Sequence, residues 1–115
     1  FGRTINISSV NGERGQVGQV NYAAAKAGVL GFTKSLALEN ARNNITVNAI
    51  APGYCNTEMV AAVPKEVLKK IVAGIPVGHL GTGNDVARLV CFLADDEAGF
   101  ITGATFDING GQFMG

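Results

Sequence analysis

The chain has 115 residues, of which 47% are hydrophobic and 16% charged, and nine basic residues balance nine acidic ones. This length allows one domain or part of one. The zero net charge gives no field that would attract nucleic acid or an anionic membrane, and no apolar run reaches the roughly 20 residues of a membrane span. The two cysteines lie far apart without metal-binding spacing, so a reduced, cytoplasmic protein is expected.

The first half of the chain is predicted to contain two strands joined by a helix. Residues 4–9 form an apolar run that ends in two serines, which is typical of a buried strand. Residues 21–42 are predicted to form a long helix rich in small residues. Residues 45–50 are rich in β-branched side chains and largely apolar, which favours a parallel strand covered on both faces. Pro52-Gly53 is expected to end that strand.

The second half is predicted to contain three helices and a closing strand. Two short helices are expected over residues 57–63 and 64–74, with Pro64 at the start of the second. Thr82 and Asp85 have the spacing of a capping box and predict the start of a third helix. The strand is expected at residues 104–108, followed by a glycine-rich turn.

Two chemically versatile residues in this half are predicted to have no catalytic role. His79 is the only histidine and has no second histidine with which to chelate a metal, so it is expected at the surface. Cys91 lies within the third predicted helix and is expected to pack there as a small hydrophobic side chain. No metal site is therefore predicted.

Tyr22 and Lys26 lie four residues apart in the first predicted helix, and Ser9 precedes the tyrosine by thirteen residues. Residues i and i+4 share one helix face, with Cβ atoms roughly 6 Å apart. An ammonium group at that range lowers a tyrosine pKa from its usual value near 10, so the phenol can exchange a proton with a carbonyl oxygen near neutral pH. Ser9 could hydrogen-bond the same oxygen. These are the parts of a centre for ketone reduction, although the Tyr–Lys pair alone also fits an amphipathic helix with a snorkelling lysine.

The order strand, serine, loop, Tyr-x-x-x-Lys helix, strand and Pro-Gly resembles the short-chain dehydrogenase/reductase family along essentially all 115 residues. The resemblance implies an α/β fold, namely the C-terminal half of a Rossmann-like, doubly wound parallel sheet in three α/β/α layers. No Gly-rich turn joins a strand to a helix with dinucleotide-binding spacing. Residues 1–115 are therefore expected to be the catalytic and substrate-binding half of one domain. The N-terminal dinucleotide-binding half is expected to be absent, and the fragment alone inactive.

The family resemblance also implies roles for individual residues. Tyr22 would be the general acid, Lys26 would lower its pKa and bind the nicotinamide ribose, and Ser9, which the family spacing selects over Ser8, would orient the ketone. The fourth catalytic residue of the family, an asparagine, would belong to the missing segment. The residues expected to bind the cofactor are Tyr22, Lys26, Pro52, Gly53, Cys55 and Thr57.

Within the family, the loop around Gln16 and Gln19, Tyr54 after Pro-Gly, and the C-terminal residues resemble bacterial reductases that act on acetoacetyl-CoA. The residues expected to bind this substrate are Ser9, Gln16, Gln19 and Tyr54. Val17 departs from the pattern, since those enzymes often have an aromatic residue there. The implied reaction reduces acetoacetyl-CoA to 3-hydroxybutyryl-CoA, as in polyhydroxybutyrate biosynthesis, with NADPH as donor and NADH as the alternative.

Two other functions stay open from the sequence. The first is reduction of 3-oxoacyl groups on acyl carrier protein in fatty acid synthesis, because that group of enzymes also has a glutamine at the position of Gln19. The second is a catalytically inactive dinucleotide-binding relative, or an inactive fragment. The resemblance further implies a homotetramer, because the family uses the Tyr-x-x-x-Lys helix in a subunit interface. No nucleic-acid or membrane partner is expected.

Overall fold

The structure is a computed structural model that describes residues 1–7, 19–56 and 62–112. Within these residues, three strands and three α-helices follow one another in sequence. They are β1 (Gly2–Ile7), α1 (Gln19–Asn40), β2 (Ile45–Pro52), α2 (Lys65–Ala73), α3 (Gly83–Ala94) and β3 (Thr105–Ile108). Short 3-10 turns follow α1 at Ala41–Asn43 and α3 at Asp96–Ala98. None of the helices in these ranges is long and apolar enough to cross a membrane.

The three strands form one parallel sheet in the order β1-β2-β3. The β1–β2 register pairs Gly2 with Ile45 and Ile7 with Ile50. The β2–β3 register pairs Ala49 with Thr105 and Pro52 with Ile108. Parallel neighbours connected through helices define an α/β fold, as the sequence predicted.

The middle strand is the centre of the core. Residues 46–51 of β2 are all buried, and Ala49 and Ile50 have no exposed surface. Because successive side chains of a strand point to opposite faces, both faces of β2 are covered. Helix α1 packs along β2 and reaches β3, whereas α3 packs against β1. The expectation of a strand covered on both faces is confirmed.

Asn48 is a buried polar residue of β2 whose side-chain nitrogen and oxygen both form hydrogen bonds. Its amide nitrogen donates to the Ile101 carbonyl at 2.9 Å, and its amide oxygen accepts from the Ala104 backbone N–H at 3.1 Å. The Val47 N–H donates to the Thr102 hydroxyl at 3.0 Å. These bonds fasten the segment before β3 to the middle strand, so Asn48 sets where β3 begins.

Helix α1 returns the chain toward the start of β2. The Ala37 methyl lies 3.5 Å from the place where a Cβ on Gly103 would be, and the Gly103 N–H donates to the Val47 carbonyl at 2.8 Å. The C-terminal part of α1 therefore lies at the amino end of β2. Since α1 has 22 residues and rises about 1.5 Å per residue, its first turns extend toward the carboxyl ends of the strands.

The boundaries of the elements differ from the predictions by at most two residues. Helix α1 begins at Gln19, and the last predicted helical residues form the 3-10 turn, where Asn44 adopts a left-handed conformation with φ 60°. Strand β2 continues to Pro52, beyond the predicted end. Most of the helix predicted over residues 57–63 falls outside the described residues.

The prediction for Cys91 is wrong. Its side chain is exposed, because α3 turns Leu93 inward and leaves Cys91 on the outer face. His79 is exposed, as expected.

Candidate active site

Strands β2 and β3 end at the same level, and the chain continues from both at one edge of the sheet. Pro52 pairs with Ile108, and the Gly53 N–H donates to the Ile108 carbonyl at 3.0 Å, which prolongs the ladder by one residue. The crevice at the carboxyl ends of parallel strands is where open α/β sheets bind their ligands. The segment 53–56 and the turn 109–112 are thus at the position where a ligand is expected.

These two segments approach so closely that Gly53 has no room for a side chain. A Cβ there would lie 2.6 Å from the Asn109 Cβ and 3.0 Å from its Cα. The Asn109 carboxamide oxygen accepts from the Gly111 N–H at 2.9 Å, which shapes the turn. The requirement for glycine at position 53 therefore comes from the contact with the turn after β3.

A third segment packs on the same turn. The Val77 N–H donates to the Gly110 carbonyl at 3.1 Å, and a Cβ on Gly110 would lie 2.7 Å from the Val77 side chain and 2.9 Å from that of Ile75. Gly110 also has a φ of +64°, which favours glycine. Residues 75–78 are thereby fixed against the carboxyl edge of the sheet.

The backbone N–H and C=O of Cys55 take no part in the hydrogen bonds that join residues 54–56 to Gly81. The Gly81 N–H donates to the Tyr54 carbonyl at 3.0 Å, and the Asn56 N–H donates to the Gly81 carbonyl at 2.8 Å. This parallel bridge turns the N–H and C=O of Cys55 to the side away from Gly81. Within the described ranges these two groups have no backbone partner. A carboxamide, which offers both a donor and an acceptor, fits such a pair.

A cleft of about 600 Å³ lies between these segments and α3. Its polar lining combines ionisable and hydrogen-bonding groups, namely Tyr54, Cys55, His79, Asp85, Arg88 and Asn109. Its apolar lining comes from α3, β3 and the 75–78 turn, namely Val77, Val86, Leu89, Phe92 and Ile108. A mainly apolar cleft with a few convergent polar groups is typical of a small-molecule site.

Asp85 has a structural task within this cleft. The Thr82 hydroxyl accepts from the Asp85 N–H at 3.1 Å, and the Asp85 carboxylate accepts from the Thr82 N–H at 2.9 Å, which completes the predicted capping box of α3. The backbone and side-chain hydrogen bonds from Thr82 lower the pKa of Asp85, and the charges of His79 and Arg88 lower it further. Asp85 therefore stays ionised at neutral pH.

The pKa of Cys55 is shifted upward, in contrast to that of Asp85. Its partial burial, and then the negative charge of Asp85, raise the pKa of the thiol. The thiolate is the reactive form of cysteine, so Cys55 is a protonated, weakly nucleophilic side chain at neutral pH. This fits a residue that contributes its backbone to the site.

The predicted site residues fall into three groups. Pro52, Gly53, Tyr54 and Cys55 lie together at the carboxyl edge. Gln19, Tyr22 and Lys26 belong to the first two turns of α1, where Tyr22 and Lys26 are one helical turn apart, and only their backbone is described. Ser9, Gln16 and Thr57 lie outside the described residues.

The sequence did not reveal that other residues would join this site. His79, Gly81, Asp85 and Arg88 line the cleft because the segment after α2 folds back along residues 54–56. The capping box at Thr82 was a visible signal, but it predicted only where a helix begins. Among the described residues, no three His, Cys, Asp or Glu side chains are grouped so that they could hold a metal.

Comparison with known proteins identifies the family to which this chain is related. A family profile described as enoyl-(acyl carrier protein) reductase matches residues 1–112. The acetoacetyl-CoA reductases of Shinella zoogloeoides and Rhizobium meliloti (strain 1021) are each 64% identical over 115 residues, which cover 99% of the chain and 48% of the relative. The 3-oxoacyl-[acyl-carrier-protein] reductase of Haemophilus influenzae is 52% identical over 114 residues, which cover 99% of the chain and 47% of the relative.

The chain thus belongs to the short-chain dehydrogenase/reductase family. It spans about half the length of the curated relatives that it matches. The parallel sheet and its covering helices agree with the fold implied by the sequence.

Proposed function

We propose that the intact protein is a nicotinamide-dependent reductase of short 3-oxoacyl thioesters, which converts acetoacetyl-CoA to 3-hydroxybutyryl-CoA. The observation that carries this proposal is the 64% identity, over nearly the whole chain, to two relatives named acetoacetyl-CoA reductase. The open carboxyl-edge cleft and the family motif of Ser9, Tyr22 and Lys26 agree with it. Residues 1–115 would supply the catalytic and substrate-binding half of the enzyme, and a dinucleotide-binding half would complete it.

A nicotinamide dinucleotide would supply the hydride for this reaction, with NADPH proposed as donor and NADH as the alternative. The backbone N–H and C=O of Cys55 would hold the carboxamide of the ring, and Thr57 and Lys26 would add contacts to the cofactor. Gly53 keeps this segment close to the turn at Asn109, which fixes the direction in which the Cys55 backbone points. Pro52 ends the strand that presents the segment.

Tyr22 would protonate the carbonyl oxygen as the alcohol forms. The ammonium of Lys26, one helical turn away, would favour the phenolate form and make the proton transferable near neutral pH. Ser9 would donate a hydrogen bond to the same oxygen as negative charge develops on it, and one such preorganised donor is worth about 3–4 kcal/mol of barrier. Gln16, Gln19 and Tyr54 would hydrogen-bond the short acyl thioester.

A second candidate substrate is the same acyl group carried on acyl carrier protein. The 52% identity to the Haemophilus influenzae 3-oxoacyl-[acyl-carrier-protein] reductase supports this alternative. Both substrates share the 3-oxoacyl group and the pantetheine arm, so the chemistry proposed for Ser9, Tyr22 and Lys26 is the same for each.

The deciding experiment compares kcat/KM of the intact enzyme for acetoacetyl-CoA and for acetoacetyl-acyl carrier protein, with NADPH and with NADH. We expect the CoA thioester to be preferred and turnover to fall as the acyl chain lengthens. A preference of more than tenfold for the carrier protein would assign the enzyme to fatty acid synthesis. An intact protein that reduces neither thioester would refute the proposed activity.

The intact enzyme is also proposed to be a homotetramer that uses α1 as a contact surface. A stripe of exposed, mostly small residues follows one face of this helix at helical spacing, namely Ala24, Gly28, Gly31, Ser35 and Leu38. Added Cβ atoms at Gly28 and Gly31 would meet nothing within 4 Å. Such a surface lets a second helix approach closely.

A further inference from the structure

Helix α2 has an apolar face that the described part of the chain covers only partly. None of its nine residues is buried. Val67 is 46% exposed, and Leu68, Ile71 and Val72 are half-buried. Four apolar residues at helical spacing ordinarily pack against another element, so the open part of this face is available to a ligand.

Part of this face forms a groove of about 530 Å³. Its lining consists of Lys65, Leu68, Lys69, Val72 and Ala73. The first four of these residues stand at positions i, i+3, i+4 and i+7, so they share one side of the helix. Two ammonium groups therefore lie beside an apolar floor made by a leucine and a valine.

The charge of α2 is unlike that of the rest of the chain. Three of the five lysines in the sequence, Lys65, Lys69 and Lys70, lie in this helix, and Glu66 is its only acidic residue, which leaves a local charge of +2. The whole chain has zero net charge. The groove is thus suited to a ligand that combines negative charge with apolar or weakly polar surface.

The groove is also close to the candidate active site. Helix α2 ends at Ala73, Gly74 follows, and Ile75 is 3% exposed because it packs at the Gly110 turn. Two residues later, Val77 lines the cleft. A helix of nine residues is about 14 Å long, so the whole groove lies within about that distance of the segment that reaches the cleft.

We propose that this groove binds the phosphorylated arm of the coenzyme A thioester, with Lys65 and Lys69 paired to its phosphates and Leu68 and Val72 in contact with its pantetheine chain. This assignment rests on the proposed acetoacetyl-CoA reductase activity. Coenzyme A combines several phosphate charges with a long, weakly polar pantetheine arm, and the groove offers complements to both. Lys65 and Lys69 would then determine specificity for the CoA thioester without taking part in the chemistry.

The test compares three variants of the intact enzyme with the wild type: Lys65→Ala/Lys69→Ala, the charge-conserving Lys65→Arg/Lys69→Arg, and Lys70→Ala. Lys70 is an exposed lysine of the same helix that does not line the groove, so it controls for loss of charge alone. Each is assayed with acetoacetyl-CoA and with acetoacetyl-N-acetylcysteamine, a thioester without phosphates. Inhibition by adenosine 3′,5′-bisphosphate serves as a direct probe of phosphate binding.

In the double alanine variant, we expect KM for acetoacetyl-CoA to rise about 2- to 30-fold with kcat unchanged, as two exposed ion pairs are lost. Inhibition by the bisphosphate should weaken by a similar factor, and KM for the truncated thioester should not change. The arginine variant and Lys70→Ala should resemble the wild type.

Two results would overturn the assignment while leaving the proposed activity intact. One is an unchanged KM for acetoacetyl-CoA in the double alanine variant. The other is an equal rise in KM for both thioesters, which would indicate a structural effect. A wild-type enzyme that does not reduce acetoacetyl-CoA would overturn both the activity and the assignment, so the two failures are distinguishable.

Discussion

Gly53 and Asn109 are in such close contact that a single methyl group on Gly53 would lie 2.6 Å from the Asn109 Cβ. The contact joins the ends of β2 and β3, and the Gly53 N–H also donates to the Ile108 carbonyl at 3.0 Å. The position of residues 54–56, which carry the proposed nicotinamide contact, therefore depends on the turn that follows β3.

Gly53→Ala should consequently weaken both the fold and cofactor binding. Overpacking at a site that cannot relax costs about 1–3 kcal/mol. We expect a loss of that size in chemical denaturation of the intact enzyme, together with a higher KM for the nicotinamide cofactor. Gly83→Ala is the matched control, because a Cβ there would meet nothing within 4 Å. Equal stability of the two variants would show that the contact with Asn109 does not exclude a side chain at position 53.

Tyr22→Phe should remove the proton donor and leave the fold intact. Positioned acid catalysis contributes at least about 10²-fold, so we expect turnover of the intact enzyme to fall by that factor or more. Circular dichroism and the melting temperature should match the wild type. Turnover above about a tenth of the wild-type value would contradict the proposed role of Tyr22. Ser9→Ala should likewise be far more damaging than Ser8→Ala.

Thr82→Ala should destabilise α3 by removing its N-terminal cap. Loss of a threonine cap costs about 0.5–2 kcal/mol. Chemical denaturation of the intact enzyme at pH 7 measures this loss, with Thr102→Ser as a mild control that keeps a hydroxyl for the Val47 N–H. A Thr82→Ala variant as stable as the wild type would contradict the structural importance of the capping box.

Asp85→Asn tests how the negative charge of the Asp85 carboxylate contributes to the capping box. The quantity followed is the free energy of unfolding as a function of pH. The pKa of Asp85 is lowered in the folded state, so the ionised carboxylate stabilises the fold above its unfolded pKa. This contribution is lost as the pH falls through the folded pKa. We therefore expect the wild type to be more stable than Asp85→Asn at pH 7 and the difference to narrow below about pH 4. A difference that is constant with pH would contradict an electrostatic origin.

The two cysteines should differ in their rates of alkylation. Cys91 is exposed, whereas Cys55 is half-buried and its pKa is raised by burial and by Asp85. We expect iodoacetamide at neutral pH to modify Cys91 first, as peptide mass spectrometry of the intact enzyme would show. Cys91→Ser provides the background in which Cys55 alone is followed. Faster modification of Cys55 would mean that its thiol is activated by a group not recognised in the cleft.

Gly31→Leu should disrupt the proposed tetramer. Gly31 is exposed on the outer face of α1, so a larger side chain is tolerated within one subunit but would keep a partner helix at a distance. Light scattering after gel filtration should report a smaller mass than for the wild type. Lys34→Leu, an exposed α1 residue off the stripe, is the control. A tetrameric Gly31→Leu variant would exclude this stripe as the contact.

The sequence by itself determined the features that depend on neighbours along the chain. Thr82 and Asp85 predicted the capping box because both partners lie within one helical turn. The largely apolar, β-branched-rich stretch at residues 45–50 predicted a strand covered on both faces, because burial on two sides favours that composition. The Tyr-x-x-x-Lys spacing and its surrounding elements likewise indicated the family.

Only the tertiary structure decided which distant segments meet. The contacts of Gly53 with Asn109, of Tyr54 and Asn56 with Gly81, and of Gly110 with Val77 join residues that are remote in sequence. No local pattern encodes them, since they follow from the register of β2 with β3 and from the path of the chain after α2. The exposure of Cys91 was missed for the same reason: the side of α3 that faces the sheet is set by packing against the strands, and the helix alone does not specify it.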